Sequence, residues 1–224
     1  MTLEKLSQAR LVIFDWDGTL FDSTGVIAYS LQRSCEALGF ATPTLKQAKH
    51  VIGLDFKEVI AYLVGDLDAQ QTAEFMRVYR SHYLTSESIV TLYDGVIEVL
   101  KDLRGHNRLA AIATGKSRVG LDRVLEQGHL RTYFQATRTA DQTSPKPHPL
   151  MLQELLDELD IHPHEAVMVG DTTYDVEMAH AAGVSSIAVC YGAHDERQLQ
   201  AAQPSAIAHS VSDLAVLLGV MIKA

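Results

Sequence analysis

The chain has 224 residues, 47% of them apolar and 21% charged, the balance of a folded globular protein with a large core and not of a disordered chain. Its formal net charge is −9, with 19 Lys and Arg and no basic run, which argues against a nucleic-acid partner, while a few local cations and backbone amides can still hold a small anion. Cys35 and Cys190 lie far apart without CxxC spacing, the opening MTLEKLSQAR is polar, and no apolar run is long enough to cross a bilayer; a cytoplasmic protein without a membrane partner is expected.

Along most of the chain, apolar β-branched runs alternate with helical patterns, as in a parallel sheet covered on both faces. Strands are predicted at 10–15, 109–114, 134–137, 166–170, 185–190 and 205–209. Helices fit between them at 95–103, 118–127, 149–159, 174–181 and 213–218, with Gly105, Gly128, Gly183 and Gly219 where C-caps or turns are wanted. From about residue 22 to 85 the pattern is helical throughout, with helices predicted at 26–38, 45–51, 56–64 and 69–84. A block this long is no crossover helix; it reads as a small helical domain inserted after the first strand, with joints near 20–23 and 86–93.

Four places stand at or just past the carboxyl end of a predicted strand, the edge where open α/β sheets bind ligands. They are Asp15 with Asp17 in FDWDGTL, Thr114-Gly115-Lys116 after AAIA, Lys146 between Pro145 and Pro147, and Asp171 with Asp175 in GDTTYD. Taken singly, each has a plainer reading: a strand-end Asp caps a helix, Thr-Gly makes a turn, and a lysine between prolines sits in a solvated loop. Together they escape it. Converging carboxylates at one sheet edge repel one another by several kcal/mol, on the order expected for unscreened neighbours, unless a divalent cation and a lysine neutralise them. An all-oxygen ligand set suits Mg²⁺, and no HExxH or Cys/His cluster competes with it. A carboxylate, a lysine, a hydroxyl and a helix N-terminus around such an ion are equipment for phosphoryl transfer through an aspartyl phosphate.

These motifs, in this order, resemble those of the haloacid-dehalogenase-like hydrolases, and most of all the phosphoglycolate phosphatase-like branch, over nearly the whole chain. The resemblance implies a Rossmann-like core, residues 1–20 and 86–224, and a helical cap domain, residues 21–85, with the active site between them. It implies that Asp15 is the nucleophile and that Asp17 protonates the leaving oxygen and later activates water. Mg²⁺ would be held by Asp15, Asp171 and the Asp17 carbonyl, with Asp175 acting through water or steadying Lys146. Thr114, Gly115, Lys116 and Lys146 would bind the phosphate. An aspartate at position 17 favours phosphate esters over carbon–halogen bonds, because an alkoxide leaving group needs a proton and a halide does not.

The implied activity is hydrolysis of a small phosphorylated metabolite, phosphoglycolate-like or a sugar phosphate, by a monomer or a homodimer. A phosphomutase of β-phosphoglucomutase type shares the same core motifs. A receiver-like phospho-accepting domain also shares the chemistry, but it is shorter and lacks a helical insert. In the insert, the loop His50–Leu54 and the side chains Lys46, Lys49 and Lys57 are the candidates for recognising the leaving group.

Overall fold

A computed structural model describes residues 6–86 and 90–221. Six strands form one parallel sheet in the order β3-β2-β1-β4-β5-β6. The strands are β1 (Leu11–Phe14), β2 (Leu109–Thr114), β3 (Ala136–Thr139), β4 (Ala166–Gly170), β5 (Ser185–Val189) and β6 (Ala206–Ala208). In β1 every residue is buried, but alternate side chains go to opposite faces. Val12 and Phe14 join one core cluster, and Leu11 and Ile13 join another. The first face is covered by α5 (Val96–Gly105), α6 (Arg118–Gln127) and α10 (Val211–Leu218), the second by α7 (Leu150–Leu159) and α8 (Thr173–Ala181).

Between β1 and α5 lie α1 (Thr24–Ala37), α2 (Leu45–His50), α3 (Phe56–Val64) and α4 (Ala69–Ser86). They close on an apolar cluster of their own, with Leu31, Val51, Ile60 and Phe75 at its centre. Local signals start them: Thr44 and Gln47 form a capping box at α2, and the Asp55 carboxylate accepts from the amides of Lys57 and Glu58 at α3. The outgoing and returning chains run side by side, with Asp22 N donating to Thr91 O at 2.9 Å and Tyr93 N donating to Leu20 O at 3.0 Å. Of the two expected joints, residues 87–89 of the second lie outside the described residues, as do residues 1–5 of the polar opening run.

The differences from expectation are local. β3 starts two residues later than predicted, and α10 starts at Val211 because Ser210, whose hydroxyl accepts from Asp213 N, caps it. A short helix, α9 (Glu196–Ala201), follows a capping box of Asp195 and Gln198 that the periodicity did not reveal. Gly219 ends α10 in the left-handed conformation, whereas Gly128 ends α6 with an ordinary negative φ. No helix among the described residues is long and apolar enough to cross a membrane.

Candidate active site

The chain order runs β1, β2, β3 to one side of the sheet and then returns to place β4 on the other side of β1. The crevice between β1 and β4 is therefore the topological switch point, where a parallel sheet opens a ligand site at its carboxyl edge. Register sets Phe14 opposite Val169, so the residues that follow, Asp15 and then Gly170-Asp171, come together.

Asp15, Asp171 and Asp175 are buried, and one carboxylate oxygen of each lies within 4.8 Å of the others. Lys146, fully buried, reaches into the group with Nζ 2.8 Å from Asp15 Oδ1 and 2.6 Å from Asp175 Oδ1. Asp171 and Asp175 are also fixed from behind. Asp171 accepts from Thr19 Oγ1 at 3.0 Å and Ala193 N at 2.7 Å. Asp175 Oδ2 accepts from the amide and hydroxyl of Thr172, closing the capping box of α8. The turn after Asp17 needs glycine: Gly18 has φ +81°, and a Cβ there would stand 2.1 Å from Asp171 Oδ2.

Three buried carboxylates share one ammonium, which pairs with Asp15 and Asp175 but not with Asp171, so with all three ionised the cluster carries a net charge of −2. The electrostatics register the deficit. Burial pushes the Asp15 carboxyl up to about 6, with Lys146 pulling the other way and Asp175 adding to the rise. Burial, then the charges of Asp15 and Asp175, lift Asp171 well above the usual carboxylate range. Lys146 is raised: burial opposes its charge, but the two aspartates outweigh burial. A small, hard divalent cation with a preference for oxygen ligands fits this donor set.

Asp17 stands apart from the cluster. Its carboxylate takes both oxygens to Lys116 Nζ, at 3.0 and 2.9 Å, and accepts from Ser23 Oγ at 2.7 Å. Lys116 also lies over the Tyr83 ring, 5.2 Å from its centroid, so a residue of α4 touches the group that holds Asp17. Burial works against the Lys116 charge, yet Asp17 and Tyr83 raise it overall. The sequence motif Thr114-Gly115-Lys116 points to an anion cradle; in the structure its lysine also pairs with Asp17. Thr114 is buried, and its Oγ1 accepts from Lys116 N at 3.2 Å. Gly115 is where the two halves meet, since a Cβ there would stand 2.7 Å from Gly53 O.

Sequence reasoning missed the fastening on the other side of the crevice. The His50 carbonyl accepts from Tyr174 Oη at 3.0 Å and lies 3.0 Å from His194 Nε2. Thr173 N donates to His194 Nδ1, so this ring carries its proton on Nε2 and gives it to His50; burial pushes its pKa below the ordinary value. The signal was faint, because His194 sits in an irregular turn after β5 with no periodicity to mark it. Trp16, between the first two aspartates, packs inward, stacked on Phe21 with centroids 4.7 Å apart.

Above the aspartates opens a cavity of about 640 Å³, bounded by Asp15, Asp17, Thr114, Gly115 and Lys116 on the sheet side and by the inserted helices on the other. His50–Leu54 contributes Val51, Ile52, Gly53 and Leu54 to the wall; Lys57 lines it too, whereas Lys46 and Lys49 do not.

An α/β sheet with an inserted helical cap, and a buried aspartate cluster at its switch point, define a hydrolase of one particular architecture. The chain belongs to the haloacid dehalogenase-like hydrolases, whose family model matches residues 12–189. It is 32% identical over 210 residues to a Dickeya dadantii protein named Probable phosphatase IndB, covering 91% of each chain. It is 29% identical to a phosphoglycolate phosphatase of Aliivibrio fischeri, over 93% of this chain and 96% of that one. Among solved structures, a haloacid dehalogenase-like family hydrolase from Streptococcus pneumoniae superposes with a TM-score of 0.77 at 26% identity, covering 94% of this chain and 97% of the other.

Proposed function

We propose that the protein is a Mg²⁺-dependent phosphatase that hydrolyses a small phosphate monoester through a phosphoaspartate on Asp15. The observation that carries the reading is the buried group of Asp15, Asp171, Asp175 and Lys146, from which Asp15, beside Asp17, reaches the floor of the cavity. Residues 21–85 act as the cap domain, and residues 1–20 with 86–224 as the catalytic core. The substrate is a phosphorylated small molecule, met in the cytoplasm.

Asp15 and Asp171 would hold the metal, whose charge would offset that of the carboxylates and of the phosphate. Asp15 attacks phosphorus through a carboxylate oxygen, and the bond from phosphorus to the ester oxygen breaks. Asp17 gives the departing alkoxide its proton. In the second half Asp17 takes a proton from water, the water oxygen attacks phosphorus, and the bond to Asp15 breaks to release inorganic phosphate. Lys146 keeps Asp15 oriented and shares the charge carried by Asp15 and the phosphate, while Asp175, with both oxygens engaged, steadies Lys146. Thr114 and the Gly115 amide bind the transferring oxygens. Lys116 and Ser23 hold the Asp17 side chain in place between the two proton transfers.

The test is a panel of phosphate esters assayed for inorganic phosphate with Mg²⁺ and with EDTA. Stoichiometric release of phosphate and alcohol, lost in EDTA, is expected. Isomerisation of a sugar phosphate without phosphate release would replace hydrolase by mutase.

A further inference from the structure

The floor and the roof of the cavity are chemically unlike. The floor carries Asp15, Asp17, Thr114, Lys116 and, further along, Arg123 and Asp141; the roof presents Ile27 and Leu31 from α1, Val59 from α3, and Met76, Tyr79 and Tyr83 from α4. Several of the polar side chains that the inserted helices bring to the cavity are engaged elsewhere or exposed. The Asp55 carboxylate caps α3, Tyr83 Oη lies 3.4 Å from Lys116 Nζ, and Lys57 and Arg80 are exposed.

Given the phosphatase reading above, on which this step rests, we propose that the substrate is a phosphate monoester whose alcohol has an apolar body, alkyl or aryl, and not glycolate or a polyhydroxylated sugar. A sugar in this cavity would leave hydroxyls facing Ile27, Leu31, Val59 and Met76 without hydrogen-bond partners, and an unpaired buried polar group is costly. A glycolate ester would bring its short carboxylate close to Asp15 and Asp17, where the adjacent Lys116 is already paired with Asp17 and Arg123 stands on the neighbouring helix α6. It would also fill little of a cavity that lies within the usual range for organic ligands. An apolar leaving group instead exchanges water for the roof side chains, and the gain grows with its length.

A series of n-alkyl phosphates tests this, because the leaving alcohols differ little in acidity while their apolar area grows. From ethyl to hexyl phosphate, kcat/KM should rise about two- to four-fold per methylene, the factor expected for burying a CH₂ group. Hexyl phosphate should exceed phosphoglycolate and glucose 6-phosphate by about ten-fold or more. Met76→Ser, in the half-buried part of the roof, should lower the hexyl-to-ethyl ratio. Independently of turnover, n-hexylphosphonate should raise the melting temperature more than methylphosphonate does. Turnover that is flat in chain length, or that favours phosphoglycolate or the sugar phosphate, overturns the apolar assignment and leaves the phosphatase reading standing. Absence of hydrolysis with every ester and Mg²⁺ overturns both, and equal shifts by the two phosphonates overturn the apolar assignment alone.

Discussion

At the sheet edge, Asp15, Lys146, Asp171 and Asp175 are each no more than 1% exposed, and each has a fixed protein partner. Across the cavity the inserted helices bring mostly apolar side chains, with Lys57 and Arg80 lining it where they are exposed. Buried charges are costly and position-specific, so the first region tolerates few alternatives. Apolar walls are permissive, and exchanging one aliphatic side chain for another changes affinity by modest factors. On the proposed reading, the core performs one reaction on any phosphate ester and the insertion chooses among esters. Changes at the floor should reduce turnover of all substrates alike, and changes in the roof should redistribute it.

The largest effect is expected from Asp15→Asn. The amide keeps the shape but is a poor nucleophile, so phosphate release should fall by on the order of 10³-fold or more for every ester tested. The far-ultraviolet circular dichroism and the melting transition should persist, since the substitution removes one of the crowded negative charges. Retained turnover would remove the distinction between floor and roof.

Lys146→Met comes next and acts on stability. It leaves Asp15 and Asp175 buried without their counter-charge, and removing one partner from a buried pair costs about 3–5 kcal/mol. Urea melts in EDTA should show this loss, and Mg²⁺ should recover part of it. A loss of under about 1 kcal/mol would mean that the group is less dependent on its lysine than the geometry indicates.

The same contrast decides what could be read from the chain alone. Leu11–Phe14 and Ala166–Gly170 are unbroken apolar runs, each followed by an aspartate, and such runs point to central strands whatever surrounds them. Edge strand β3 contains Thr137 and Arg138, both half-buried, so its pattern is weak and its predicted bounds were displaced. The four helices of the insertion were legible as helices from their periodicity, but periodicity does not say which side chains face a cavity. Lys46 and Lys49 were as plausible as Lys57 in sequence, and only the packing of α2 and α3 separates them. The pair between Lys116 and Asp17 was hidden for a different reason. It joins the ends of two neighbouring strands through a long side chain, and backbone pattern carries no information about where that chain reaches.

Metal linkage gives a smaller effect that sharpens the assignment of the charge deficit. A ligand that binds only the folded state at one hundred times its dissociation constant stabilises it by about 2.7 kcal/mol. For a chain of this size that is about 5–10 °C in melting temperature. Mg²⁺ should produce such a shift in the wild type, read by thermal denaturation without any substrate. Asp171→Asn should lose most of the shift, because it removes one of the carboxylates in the group and reduces its negative charge. An undiminished shift in that variant would place the ion elsewhere.

The smallest expected effect lies where floor and roof are fastened together. Tyr174 Oη donates to the His50 carbonyl from the first turn of α8, next to the capping box that holds Asp175. Tyr174→Phe keeps the ring beside His50 and His194 and deletes only the hydroxyl. The His50 carbonyl retains His194 Nε2 as a donor, so no buried acceptor is orphaned and the loss should be about 1 kcal/mol in a urea melt. If the fastening matters for holding the roof over the floor, KM for hexyl phosphate should rise while that for ethyl phosphate changes less, since only the longer ester depends on the roof. Equal changes in both would show that the contact supports the core alone, and would separate the stability of the crevice from the selection made above it.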